Sequence, residues 1–342
     1  MTSLDGTWQR WKPWWLSAIA GAIFGSFYRL IFDFGWADGG AITLIMTIGF
    51  LALVPLCMGY VAVDNYLRKA PIDSISWPKW FFLPWISVLI TGAAAIIVKW
   101  EGLICLIFAA PIMLAFSTVG GLVARVTWGR FKRQAPGTLS AIALPLLFIL
   151  VEAHVPSALD VRTVETDVLI HAPASVVWDN IKSVREIYPS ELSQSWVTRI
   201  GLPKPVAATL SHEGVGGVRQ ASFTGGLVFT ETVNRWEPES DLRFSIHANT
   251  ESIPKSTLDE HVKVGGAFFD VLDGEYRLEP RPDGILLRLT SHERLSTHFN
   301  PYAGVWTDAV MRSIQNQILQ VIRKRCESGV VQTAATSPGG AD

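Results

Sequence analysis

Cysteine is scarce in this sequence. Three residues are spread over 342, with Cys57 and Cys105 inside apolar runs and Cys326 alone near the C-terminus. No CxxC or Cys/His spacing occurs, which excludes a zinc module and a disulfide framework read from sequence. Histidine is equally thin: seven residues, none before His154, with His292 and His298 the nearest pair. No metal set and no cofactor are expected. Charge is also in short supply. Charged residues make up 17% of the chain against about a quarter in an average soluble domain. The net charge of -1 leaves no basic surface for nucleic acid.

Long apolar runs fill the space that charge leaves. Mean hydropathy is +0.29, too high for a soluble chain of this length, and the average conceals a split. Residues 1–155 carry 11 Lys and Arg against 7 Asp and Glu; the remainder carries 18 against 23. About 20 apolar residues are needed to cross a hydrocarbon core. Five runs meet or approach that length: Trp14–Phe32, Ala41–Val63, Trp80–Val98, Leu103–Ala124 and Ala135–Val151. The fifth is the shortest and contains Pro145; the reading favours five spans over four. Ten of the 14 tryptophans fall in this half, most of them near run ends, where an indole ring is half apolar and half wet. Trp11, Trp14 and Trp15 flank the first run, and no small-x-small cleavage site precedes Asp33, so it reads as a span and not a signal peptide.

The tail and the second and fourth loops hold nine basic residues: Arg10, Lys12, Arg68, Lys69, Lys79, Arg125, Arg130, Lys132 and Arg133. The other two loops hold Lys99, and Arg29 if it snorkels outward. This asymmetry makes the N-terminus cytoplasmic. Five spans then put everything after Val155 outside, in the bacterial inner membrane; four would put it inside. Arg29 and Asp33, four apart, read as an interfacial pair, and Glu152 and His154 as an interfacial end.

From Val164 the character changes. "VETDVLIHAPASVVWDNI" is an alternating strand from Glu165 to Ile170, then a Pro at a helix start, then Val176, Val177, Asn180 and Ile181 at helical spacing. A second short helix is expected over Val184–Tyr188. Strands follow: Val215–Phe223 after the turn "EGVGG", then "LVFTETVNRW", "LRFSIH", "FFDVLDGEYRLEP" and "GILLRLTSHERL", the last two joined through "RPDG". Pro301–Arg325 is a long amphipathic helix striped by Tyr302, Val305, Trp306, Ala309, Val310, Ile314, Ile318 and Ile322. Residues 328–342 lack any such pattern and read as a disordered tail. The fold class is therefore α+β, with a transmembrane bundle over residues 1–155 and a curved antiparallel sheet closed by one long helix over 156–327. One helix covers a curved sheet incompletely, so an apolar cavity is expected between them.

Strand order and the "APASVVWDNI" junction, closed by the terminal helix with Trp306, resemble the START-like superfamily. This group is also called Bet v 1-like, or SRPBCC, the polyketide cyclase/dehydrase and lipid transport group. The resemblance covers Arg162 to Arg325, about half the chain. It implies a helix-grip fold with a hydrophobic ligand between the concave sheet and the last helix. Lipid carriers, hormone receptors, cyclases and dioxygenase subunits all share the group; the last would need a His/His/carboxylate iron set, and no such motif is present.

Candidate ligand-binding residues are Phe223, Phe229, Phe244, Phe268, Tyr276, Tyr302 and Trp306. Glu231 joins them if Phe229 and Val233 face inward, by the period-two rule. A buried carboxylate needs a partner or a proton, and Arg219 or Arg235 is placed to supply one. Asp270, His292 and His212 are weaker acid–base candidates. The polar segment Ala248–Val264 reads as a lid or a solvated loop. Three functions stay open: a membrane-tethered binding module for a lipid or isoprenoid, a cyclase- or dehydratase-like enzyme using Glu231 as its catalytic group, and a partner-binding protein with a filled core. Membrane lipids are the expected partners.

Overall fold

The computed structural model describes residues 3–34, 47–70, 76–130, 138–152, 154–249 and 264–336. The chain forms two compact units, Met1–Ser157 and Ala158–Asp342.

The first unit is helical: α1 Ser3–Phe34, a π-helical turn Gly49–Leu53 running into α2 Val54–Lys69, α3 Trp77–Ile97, α4 Leu103–Arg130 and α5 Thr138–Glu152. Four stretches are long and apolar enough to cross a membrane: Lys12–Ile31, Gly49–Lys69, Trp77–Ile97 and Leu103–Trp128. The second runs six residues beyond the expected Val63. Asp64 lies inside that extension, and its ion pair with Arg68 one turn on (2.7 Å) lets polar residues stay helical. Residues 41–46 lie outside the described residues.

The expected fifth span, Ala135–Val151, is described from Thr138 onward; residues 135–137 lie outside the described residues. α5 has 15 residues, roughly 22 Å of helix against a core of about 30 Å. Its level is set by its contacts. The Tyr28 hydroxyl donates to the Ile142 carbonyl near its start. At its end the Glu152 carboxylate accepts from the Ile48 and Gly49 amides at 2.7 and 2.8 Å, covering the N-terminus of the π turn and α2. Glu152 is thus a buried helix cap and not a snorkelling end. The expected pair of Arg29 with Asp33 falls partly outside the described residues, where the side chain of Asp33 lies. Arg29 pairs with Glu101 at 2.9 Å and donates to the Trp100 carbonyl.

Small residues set the helix spacing. α2 and α4 cross at Gly59 and Gly120, where a Cβ on either would fall inside the carbonyl oxygen of Ser117 or Leu56. α1 and α3 run parallel in step, with Ser87 Oγ donating to the Ala18 carbonyl (2.9 Å) and Thr91 Oγ1 to that of Ala22 (3.3 Å).

The second unit is β1 Asp160–Ile170, α6 Ala174–Lys182, α7 Trp196–Arg199, β2 Pro205–Leu210, β3 Val218–Phe223, β4 Val228–Glu237, β5 Asp241–Asn249, β6 Phe269–Arg281, β7 Gly284–Leu295 and α8 Asn300–Thr336. The strands form one seven-stranded sheet, β1-β7-β6-β5-β4-β3-β2, antiparallel at every step and gripped by α8. This is the helix-grip fold. Three local expectations change. Val184–Tyr188 is not helical: Val184 pairs with Ala208, and the Ile187 amide donates to Val206, so the segment satisfies the edge strand β2. The short helix comes later, at α7, with Ser195 as its cap. The last helix continues to Thr336, so residues 328–336 are helix and not disordered tail; residues 337–342 lie outside the described residues.

Alanine at Gly59 or Gly120 is expected to lower the stability of the helical unit by roughly 2 kcal/mol or more. Gly92→Ala, whose Cβ would meet nothing nearer than 3.9 Å, is the control and is expected to be silent. Thermal unfolding of the purified protein in detergent, followed by circular dichroism, compares the three.

Candidate functional site

The core of the second unit is sealed at one end and loose at the other. Bonds from His171 to Glu327 and from Cys326 to the Val176 carbonyl hold the C-terminal half of α8 at the Ile170 end of β1. There Leu319, Val321, Ile322 and Cys326 are at most 1% exposed, and Ile170, Trp178, Leu242, Leu278 and Leu287 close the same region. The N-terminal half of α8 is held at the Asp160 end of β1 by Asn300 Nδ2 on the Ala158 carbonyl (2.7 Å) and by Arg162 on Asp308 (2.8 Å). Here Tyr302, Trp306, Val310 and Ile314 stay half-buried. The strands repeat the gradient. Along the inward positions of β4, Val233 and Glu231 are buried and Phe229 is half-buried; along β3, Arg219 and Ala221 are buried and Phe223 is half-buried.

The expected site residues fall into two groups. Tyr302 and Trp306 stack edge-on with ring centroids 6.5 Å apart, and Trp196 of α7 extends the row at a further 6.5 Å. Phe223 and Phe229 form a second edge-to-face pair at 5.4 Å. Tyr302 and Trp306 lie on the half-buried first turns of α8, while Phe223 and Phe229 pack against the buried cluster of Val184, Ile187, Ala208, Ala221 and Val321. Deeper in, Glu231, Phe244 and Tyr276 surround Arg219. Phe268 joins neither group: it precedes β6, and its carbonyl accepts from the Ser296 amide.

The pairing of Glu231 with Arg219 follows from register, because the two residues face each other across β3 and β4 on the inward face. They are 6% and 3% exposed and form an ion pair. The Arg219 guanidinium also lies 5.3 Å from the Phe244 ring centre and 5.8 Å from that of Tyr276. Burial lifts the Glu231 carboxyl while Arg219 pulls it back. For Arg219 burial works against the charge, but Glu231 and Tyr276 more than offset it. Arg219 Nε has no hydrogen-bond partner among the described residues. Arg235, the other candidate partner, reaches Asp241 instead at 3.4 Å.

The weaker acid–base candidates lie elsewhere. His292 pairs with Asp273 at 2.6 Å, and its cross-strand neighbour Thr163 is exposed. His212 sits in the exposed β2–β3 turn against Ser211. Asp270 adjoins the inward-facing Val271 and so points to the other face. None of the three shares the inward face with Glu231. Among the described residues no three His, Cys, Asp or Glu side chains come together as metal ligands.

Two polar groups escaped the sequence reading. Gln315 of α8 donates to the Val164 carbonyl and to Ser291 Oγ and accepts from Thr166. Glu293, wholly buried on β7, lies beside Arg162, Thr307 and Asp308, and burial pushes its carboxyl up to about 7. The alternation of Leu289, Ser291, Glu293 and Leu295 was the available signal: four residues on one face, two of them polar.

Among solved structures the chain is similar to DynU16, a protein of the dynemicin biosynthetic locus, at 16% identity over 49% of this chain and 48% of that one, TM-score 0.30. It is similar to Ara h 8.0201 at 12% over 49% and 99%, TM-score 0.32. It is also similar to a norcoclaurine synthase of Thalictrum flavum, a point mutant in complex with a transition-state analogue, at 10% over 49% and 97%, TM-score 0.30. The match thus spans about half the length of DynU16. No protein-family model and no curated protein matches the chain.

Arg219→Met alone leaves Glu231 buried without its cation and is expected to cost about 3–5 kcal/mol. The double variant Arg219→Met/Glu231→Leu is expected to recover most of that loss, since a packed apolar pair replaces the buried charges. Denaturant titration of the single and double variants measures the difference, and additive losses would show that the two residues do not act as a pair.

Proposed function

We propose that this chain is a membrane-anchored binding protein for a hydrophobic small molecule with an uncharged polar tip, of lipid or isoprenoid type. The observation that carries the reading is the gradient inside the second unit. Inward-facing aromatics at the Tyr302 and Phe229 end are incompletely covered, and a buried polar pair waits beyond them. A binding site for an oily ligand has this composition: apolar walls with a few placed polar groups that fix orientation.

The charge balance of the pair narrows the tip. Arg219 is already neutralised by Glu231, so a carboxylate or phosphate head would bring a second negative charge that no cation offsets. The free N–H at Arg219 Nε suits a hydroxyl or carbonyl oxygen. Acid–base chemistry in the same space would fall to Glu231 alone, since Asp270, His212 and His292 do not share its face.

Anchoring is by the four long spans and the shorter fifth helix as a final crossing, with the N-terminus and the basic loops in the cytoplasm of a bacterium. The contact of Glu152 with Gly49 supports an exit on the opposite side. It ties the end of α5 to the N-terminal end of α2, which is the end that α1 reaches after one crossing. The fifth helix therefore ends on the outer side, which completes the odd number of crossings that an outside second unit requires.

Native mass spectrometry of the full-length protein in mild detergent is expected to show a stoichiometric lipid or isoprenoid, with retention reduced several-fold by Phe229→Ala. Protein that carries nothing, and that gains no thermal protection from added isoprenoid alcohols or fatty alcohols, overturns the binding reading. Turnover that disappears with Glu231→Gln in a folded protein moves the assignment to an enzyme. Protease added to right-side-out vesicles is expected to remove the second unit; digestion only in inverted vesicles would reverse the topology.

A further inference from the structure

Besides the bond of Asn300 Nδ2 to the Ala158 carbonyl just ahead of β1, two polar ties of different kinds fasten the N-terminal half of α8 to the sheet. Gln315 makes the first, to Val164, Thr166 and Ser291, and carries no charge. The second lies two turns nearer the mouth and is ionic. Arg162 of β1 grips both oxygens of Asp308 at 2.8 Å and also reaches Asp160 at 3.1 Å. Its guanidinium lies flat on the helix at Gly304, where a Cβ would stand 2.6 Å from Cζ. Directly across from Arg162 on β7 is Glu293, fully buried, with neither oxygen hydrogen-bonded in good geometry among the described residues.

We infer that Glu293 gates the mouth: with its carboxyl protonated the first turns of α8 lie down on the sheet, and with the proton lost they lift. The groups facing it account for this. Arg162 and Asp160 approach from β1, Thr307 and Asp308 from α8 with Arg312 acting on Asp308, and β6 offers the apolar Val271 opposite. A neutral Glu293 makes no demand on Arg162, which then serves Asp308 undivided. An ionised Glu293 sits in the interior beside a second carboxylate and competes for that one guanidinium. Moving the Gly304–Asp308 turn outward lets water reach it and relieves both conflicts. Tyr302 and Trp306 ride on the same turns, so the aromatic rim moves with them.

The sign follows from a folded-state value raised to about 7: the docked helix is favoured below the ordinary carboxylate range and loses that support as pH rises through neutrality. At pH 8 the ionised form would outnumber the protonated one by about tenfold. The effect on ligand exchange rests on the binding reading above; the helix movement does not, and can be tested without any ligand.

Hydrogen–deuterium exchange of the full chain in detergent, corrected for intrinsic rates, is read at pH 6 and pH 8 over residues 300–312, with residues 316–327 as internal reference. The wild type is expected to exchange several-fold faster at pH 8 in the first segment only. Glu293→Gln, which keeps the neutral form, is expected to lose the pH response. Asp308→Asn leaves Arg162 to Glu293 and is expected to abolish the response too. A wild type with no segment-specific change, or a Glu293→Gln variant that keeps it, overturns the gate. A gate that works in a protein with no ligand would leave the gate standing and remove the binding reading.

Discussion

One helix cannot cover seven strands. At about 4.8 Å between neighbours the sheet is roughly 29 Å across, while a helix with its side chains is about 10–12 Å wide. Curling the sheet narrows the gap without closing it. At the Ile170 end the remainder is filled by α6, whose Val177, Trp178 and Ile181 are buried against Leu242, Leu287 and Ile322. Toward Asp160 and Asn249 no second helix of comparable length among the described residues plays that part; α7 brings a single turn and Trp196. The loose end is therefore a consequence of element count and position, and the aromatic residues found there are the means by which an under-covered interior avoids collapse or flooding.

The same incomplete cover explains why polar groups survive inside. A buried Arg–Glu pair gains little stability over an apolar pair of equal volume. Its presence at Arg219 and Glu231 points away from stability and toward selection of what may lie against it. Gln315, Ser291 and Thr166 form a satisfied uncharged network on the helix side, which costs little and fixes the helix register. Glu293 is the exception in being buried, ionisable and poorly bonded, and its strain falls on the part of α8 that carries the aromatic rim. The three polar groups thus differ in kind: a buried ion pair, a satisfied uncharged network that holds the helix, and a buried carboxyl with no hydrogen-bond partner among the described residues.

How much of this was legible depends on distance along the chain. The alternation in "LRFSIH" and "LVFTETVNRW" fixes which side chains point inward, and Glu231 followed from Phe229 and Val233 by period two alone. Its partner was narrowed to two arginines but not chosen, because choosing requires the β3–β4 register. β2 went unseen because "PVAATL" is short and built from small residues, and its pairing with Val184 turned an expected helix into an edge contact. The ion pair between Arg162 and Asp308 joins residues 146 positions apart, beyond the reach of any local pattern. In the first unit, hydropathy found the apolar runs but not the level at which each one starts. That is why Glu152, which caps the N-terminus of the π turn and α2, read as an interfacial charge.

The two units solve the problem of polar backbone in oil by opposite means. In the helical unit every close approach is made by removing side chains: Gly59 against Ser117, Gly120 against Leu56, Gly21 against Ser87. The polar atoms that remain are spent on carbonyls one turn apart, as with Ser87 and Thr91, so nothing is left over to recognise a solute. In the second unit buried polar atoms without partners occur along the whole interior, from Glu293 near the Asn300 end of α8 to Arg323 near its other end. A chain built to move a solute through its helices would place its unsatisfied groups in the bundle. Among the described residues the buried side-chain nitrogens and oxygens without a hydrogen-bond partner, Arg219 Nε and both Glu293 oxygens included, sit in the sheet unit.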